Sequence, residues 1–255
     1  MADFGELAKQ FNKFREKAVE DEKAGNGDYQ WIQYGTRLPD TERGFKRLIP
    51  SITDFLTERK KVSPTYALDF MGDGQAMRDL SNTGAINAGL SITLNDFRKP
   101  DVKISDSKLG VDVLSGNILD GRKTRELKDW IETKNPKHPY FDLIMSNPGI
   151  GFVSFRAGRL AYGLVENIFW QGVNLLNPKG GVMVTYIPDI FRDRKSVFKW
   201  ISRVNSANVG LDLKLDTPHG YDNGQNILKV TRNQIPNSSF DPSKKQQYRE
   251  FSKGL

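Results

Sequence analysis

The central part of the chain alternates short apolar runs with amphipathic stretches of about ten residues. TYALDF (65–70), SITL (91–94), VDVL (111–114), FDLIMS (141–146) and VMVTYIP (182–188) have the length and β-branched or aromatic content of buried strands. Between them lie helical patterns, and 156–177 ends in NPKGG, a proline and glycine stop signal. Residues 193–204 form a further amphipathic helix, and NVGLDLKL and NILKVTRN are two closing strands across a Pro/Gly-rich connection. Strands alternating with helices predict βαβ units and an α/β fold. The expected form is a Rossmann-like, doubly wound, mostly parallel sheet of about seven strands with helices on both faces. Ligands of such sheets bind beyond the carboxyl ends of the strands.

The segments flanking this core are of another kind. Residues 1–60 are charged and helix-patterned, with a break at GNGD, and form a helical extension or cofactor cover. The segment carries no apolar signal-peptide core after the start. Residues 61–236 are expected to make up the main α/β domain, and 237–255 a polar C-terminal tail rich in Ser, Lys and Gln.

The candidate chemistry falls at the strand ends. Asp69 closes an apolar run and is followed at once by Gly72 and Gly74 and then a helical pattern. Two glycines let the backbone approach a ligand closely, and a strand-end carboxylate accepts its hydrogen bonds. A phosphate loop of the G-x-x-x-x-G-K-[ST] type is absent. About 20 residues further on, Asp96 ends the next apolar run, where doubly wound folds place the acid that pairs with two ribose hydroxyls.

FMGDGQ (70–75) resembles the first motif of the class I methyltransferases that use S-adenosylmethionine, in the F-x-G-x-G variant common among amino-methyltransferases. The resemblance covers roughly residues 60–232 and implies cofactor contacts from Asp69, Phe70, Met71, Gly72, Asp73 and Gly74, from Asp96 and Phe97, and from Asn117 and Ile118 near the adenine ring. S-adenosylmethionine would be the methyl donor and S-adenosylhomocysteine the product. SNPGIGF (146–152) is similar to the [DNS]-P-P-[YFW] motif of enzymes that methylate planar amino nitrogens. Asn147 and Pro148 match, Gly149 replaces the second proline, and Phe152 is the nearest aromatic. In that family the Asn side chain and the next carbonyl accept hydrogen bonds from the target amine while the aromatic ring stacks on it, so Asn147, Pro148 and Phe152 are the catalytic candidates and Asn147 also adjoins the cofactor. Catalysis of this kind is positioning and electrostatics. Tyr34, Gly35 and Arg37 resemble a stretch that reaches over the cofactor in adenine methyltransferases. The resemblance further implies that the last strand is the antiparallel one.

Charge narrows the acceptor. The 255 residues carry a formal charge of +7, with a sequence pI near 9.4, and basic clusters occur at 58–61, 194–203 and 243–253, with aromatic residues among them. A nucleic-acid partner fits this balance, with adenine in RNA or DNA as first acceptor. A small-molecule O- or C-methyltransferase is the alternative, as is a catalytically degenerate module that binds nucleic acid or protein. No apolar stretch is long enough to span a bilayer, and there is no cysteine, which fits the cytoplasm. The histidines, His138 and His219, lie far apart in sequence in Pro-rich connections, with no zinc spacing.

Overall fold

The computed structural model describes residues 37–70, 72–93, 96, 98–116, 121–146, 169–187, 194–216 and 226–233, with Lys9, Asn12, Lys13, Glu16, Lys17 and Glu20. Seven strands form one sheet: β1 (Tyr66–Phe70), β2 (Ala88–Thr93), β3 (Val111–Ser115), β4 (Leu143–Ser146), β5 (Lys179–Ile187), β6 (Leu211–Asp216) and β7 (Asn226–Asn233). Their order is β3-β2-β1-β4-β5-β7-β6. The first five pair in parallel, and β7 runs antiparallel between β5 and β6. The strand order reverses between β1 and β4, which makes the carboxyl ends of those strands the topological switch point.

The helices are α1 (Leu38–Phe45), α2 (Ile52–Lys60), α3 (Gln75–Asn82), α4 (Pro100–Lys108), α5 (Gly121–Lys134), α6 (helical over 169–175) and α7 (Arg194–Ser206). Strand alternation divides the core in two. Tyr66, Leu68 and Phe70 of β1 pack with Leu127 and Ile131 of α5, Phe169, Trp170 and Val173 of α6, and Trp200 and Val204 of α7. Ala67 points the other way and joins Phe45, Ile52 and Leu56 of α1 and α2 and Ala76, Met77 and Leu80 of α3. Helices therefore cover both faces, as the alternating pattern requires. Residues 38–60 are built into the second of these cores.

Several strands start elsewhere than the sequence pattern predicts, β4 at Leu143 and β5 at Lys179 among them, and at two the local backbone shows why. β2 begins at Ala88, before the apolar run at 91, because Gly89 lies against Met77; a methyl there would come within 2.9 Å of the Met77 Cβ. β6 begins at Leu211, after Asn208 (φ 50°) and Gly210 (φ 77°), whose left-handed backbone breaks the approach to the strand.

At the amino ends of the strands a buried ion pair ties the layers together. Arg59 of α2 donates Nε and Nη2 to Asp142 Oδ1 at 3.0 and 2.8 Å, and Nη1 to the carbonyls of Lys179 and Gly180. Asp142 also accepts from Asn177 Nδ2 and, through Oδ2, from the Tyr66 amide. Every donor here comes from a different element or connection, so the carboxylate fixes α2, β1 and the start of β5 to one another.

Candidate functional site

The glycine turn after β1 sits at the switch point. Asp69, the penultimate residue of β1, is in register with Ser91 of β2, which is in register with Val113 of β3, so the three side chains share the face covered by α3. Asp69 is 2% exposed, and burial first, then the neighbouring charge of Asp73, holds its carboxyl well above the usual carboxylate range. The Ser91 hydroxyl is buried beside it with no hydrogen-bond partner among the described residues.

The two glycines have separate reasons to be glycine. A methyl at Gly72 would run into the Asp69 carboxylate, so the turn folds back over the strand-end acid only without a side chain there. Gly74 caps α3 with φ 90°, in the left-handed region, and a Cβ would stand 2.9 Å from Val113 Cγ2. Asp73 then accepts the Gln75 amide at 3.0 Å, and the Gly74 carbonyl receives the Arg78 amide. The result is a close backbone turn opening onto a helix amino terminus, the geometry that lets main-chain amides meet a ligand.

The segment before the sheet reaches the same helix. The Leu38 amide, at the start of α1, donates to Asp79 Oδ2 at 3.0 Å, and Gln75 Nε2 donates to Asp79 Oδ1 at 2.8 Å. Arg37 is thereby held beside α3 as the residue preceding α1, with its side chain exposed. Tyr34 and Gly35 lie outside the described residues.

Asp96 follows β2 and is held by four donors. Its Oδ1 accepts the Arg98 amide at 3.1 Å and Arg98 Nε at 2.9 Å; its Oδ2 accepts Arg98 Nη2 at 3.0 Å and faces Lys103 Nζ at 3.1 Å. Burial alone would raise its pKa, but the hydrogen bonds from Arg98 and Lys103 outweigh that and bring it down to about 2. Arg98 extends Nη1 to Asp106 Oδ2, which also accepts Arg78 Nη1 at 2.8 Å. Arg78 in turn lies 4.0 Å from Asp73. A chain of charges thus connects the glycine turn to the strand-two acid through Asp106, whose side chain is 1% exposed.

Of the residues singled out by the sequence, Asp69, Phe70, Gly72, Asp73, Gly74 and Asp96 are described, and all lie at the carboxyl ends of β1 and β2. Phe70 is 1% exposed and packs into the core on the face opposite Asp69, so its side chain supports the strand end from beneath. Met71, Phe97, Asn117, Ile118, Asn147, Pro148 and Phe152 lie outside the described residues, as does His219. β3 ends at Ser115 and β4 at Ser146, one and zero residues before those segments begin at 117 and 147. Thr185 and Tyr186 on β5 are engaged in structure: Thr185 is buried and Tyr186 packs its ring 5.3 Å from Phe45. Sequence reading missed Arg78, Arg98, Lys103 and Asp106. No local sign marked Asp106, since the helix PDVKISDSK carries a second acid, Asp101, in its first turn.

A concavity of about 850 Å³ lies at the amino ends of β1, β4 and β5, away from the glycine turn, between Phe55, Arg59, Pro64, Tyr140 and Lys179. Exposed His138 lines it. Among the described residues no group of three or more acidic, histidine or cysteine side chains is placed to hold a metal, and no helix is long and apolar enough to cross a membrane.

No protein-family model matches the sequence, and no curated protein matches it. Several solved structures are similar to this chain at low sequence identity. A plantazolicin methyltransferase, BpumL, in complex with a monoazolic desmethylPZN analog and SAH is 13% identical with a TM-score of 0.45, over 91% of this chain and 99% of that one. A TehB-like methyltransferase from Corynebacterium glutamicum is 15% identical with a TM-score of 0.39, over 75% of this chain and 94% of its own. A spermidine synthase from Thermotoga maritima is 14% identical with a TM-score of 0.39, over 88% of this chain; this chain spans 66% of that one.

Proposed function

We propose that this protein is an S-adenosylmethionine-dependent methyltransferase. The observation that carries the reading is the glycine turn itself: a buried strand-end acid, a turn that closes over it only through Gly72, and a left-handed Gly74 opening α3, all at the switch point of a sheet ordered β3-β2-β1-β4-β5-β7-β6. The residues present fit that cofactor. The turn closes tightly over the strand end through two glycines, α3 offers its amino-terminal amides to an anionic group, and Asp96 supplies the acid chemistry suited to a ribose diol.

When bound, the cofactor supplies an activated methyl on a sulfonium. The chain's own part is to hold it and to present the acceptor. Asp69 anchors the turn from below, and Asp96 keeps its charge at every physiological pH, as a ribose-binding carboxylate must. Asn147 and Pro148, which immediately follow β4, accept hydrogen bonds from a planar amino group, and Phe152 stacks on its ring. The acceptor we favour is adenine in RNA or DNA; the formal charge of +7 supports a polyanionic partner.

Calorimetric titration with S-adenosylmethionine and S-adenosylhomocysteine tests the cofactor assignment. Micromolar binding that is lost on Asp96→Ala is expected, and absence of binding by the native protein overturns it. Methyl transfer is then assayed on RNA, DNA and small amines with Asn147→Ala as control. That variant lowers kcat while leaving cofactor affinity in place; an unchanged kcat removes Asn147 from the chemistry.

A further inference from the structure

A carboxylate offers about four lone-pair positions, two on each oxygen. Asp96 has all of them engaged: the Arg98 amide and Nε on Oδ1, and Arg98 Nη2 with Lys103 Nζ on Oδ2. A ribose diol needs two of those positions at once, one on each oxygen. The guanidinium fork takes the same two, because Nε and Nη2 lie 2.9 and 3.0 Å from Oδ1 and Oδ2. The diol and the fork therefore compete for one bidentate seat.

The neighbourhood provides a second seat for the displaced group. Arg98 already touches Asp106 through Nη1, and among the described residues only Oδ2 of Asp106 is used, shared between Arg98 and Arg78. Asp106 Oδ1 is buried and has no hydrogen-bond partner among the described residues. Leaving a buried carboxylate oxygen unpaired costs free energy that a guanidinium fork on both oxygens recovers.

Resting on the assignment of Asp96 to the cofactor's ribose, we propose that Arg98 is the specificity-determining gate of that position: its fork occupies Asp96 until a vicinal diol displaces it onto Asp106. Arg98 acts on the ligand through competition, and Asp106 is a positioning residue that receives it. A ligand without both hydroxyls gains nothing from displacing the fork, so the arrangement selects for an intact ribose.

The test uses the full chain and four ligands: S-adenosylhomocysteine, adenosine, and the 2′- and 3′-deoxy forms of adenosine. Arg98→Ala opens the seat. Arg98→Lys opens it while keeping a cation for Asp106, and stands in if Arg98→Ala does not fold. Both variants are expected to bind S-adenosylhomocysteine and adenosine about tenfold more tightly than the native protein, the size of one charge-assisted hydrogen bond released. The deoxy ligands are expected to show no gain. Asp106→Asn, which removes the receiving charge, is expected to weaken the diol ligands selectively. Equal or weaker binding of S-adenosylhomocysteine by both Arg98 variants, with the native protein still binding, overturns the gate and makes Arg98 a brace. A gain shared by the deoxy ligands overturns it as well. No binding by native protein or any variant fails the cofactor assignment itself, and the gate with it.

Discussion

The Asp69 carboxylate fills the space that a side chain at residue 72 would need. The two positions are separated by Phe70 and Met71, so the chain must turn back over its own strand end, and the acid and the glycine become one unit. Asp69 alone would be a buried charge in a strand, and Gly72 alone an ordinary turn glycine.

Gly72→Ala should therefore act on both parts. The added methyl forces the carboxylate or the turn to shift, an overpacking that costs about 1–3 kcal/mol. Urea unfolding should show that loss, and titration should show weakened S-adenosylhomocysteine binding. A variant with native stability and native affinity would refute the coupling.

The pH dependence at Asp69 follows from its raised pKa. An exposed Asp in the unfolded chain ionises near about 3.9; in the folded protein burial, then Asp73, delays that ionisation. The unfolded chain thus loses its proton first, and this group reduces stability increasingly as pH rises above that value. Asp69→Asn should be more stable than the native protein at pH 8, with the gap closing as pH falls toward 4. Unfolding midpoints across that range decide it; a gap independent of pH would contradict the assignment.

Asp96 has the opposite sign. Its burial is outweighed by Arg98 and Lys103, and its pKa of about 2 lies below the unfolded value. The stabilisation is present above about pH 4 and is lost as pH falls toward 2. Asp96→Asn should cost on the order of 1–2 kcal/mol at pH 7, a figure reduced for the partial solvent access of the carboxylate, which is 17% exposed. The difference between variant and native protein should shrink below pH 4.

At the far end of the sheet, Asp142→Ala removes one partner of a buried pair, with Arg59 and the Tyr66 amide left behind. A loss of about 3–5 kcal/mol is expected. The site lies at the amino ends of the strands, so S-adenosylhomocysteine affinity should be unchanged wherever the variant is folded. Weakened binding in a fully folded variant would mean that the two ends of the sheet communicate.

The strands and the glycine turn were legible in the sequence because their cause is local. YALDF and LIMS are buried on both faces, and a doubly covered parallel strand has to be mostly apolar, so Asp69 and Ser146 stand out at the strand ends. The turn was legible because only glycine tolerates φ 90° at residue 74 at little cost. The antiparallel last strand came from the family resemblance and is found as β7, between β5 and β6.

Charge pairing was not legible. Arg59 meets Asp142 across 83 positions, and Arg78 meets Asp106 across 28. Nothing in the periodicity of either segment distinguishes those arginines from the many basic residues on solvated faces, because periodicity records which side of an element is buried and not what lies opposite. The same reason hid the state of Asp96. Its position after the second strand marked it as an acceptor for a ribose, and so the sequence by itself determined the sheet, the turn and the candidate acids. Only the tertiary structure decided that α4 would bring Asp106 under Arg98, and that Arg98 would close its fork on Asp96. Short-range steric rules and hydrophobic burial act along the chain and can be read from it; the partner of a charge is set by where the packed layers place it.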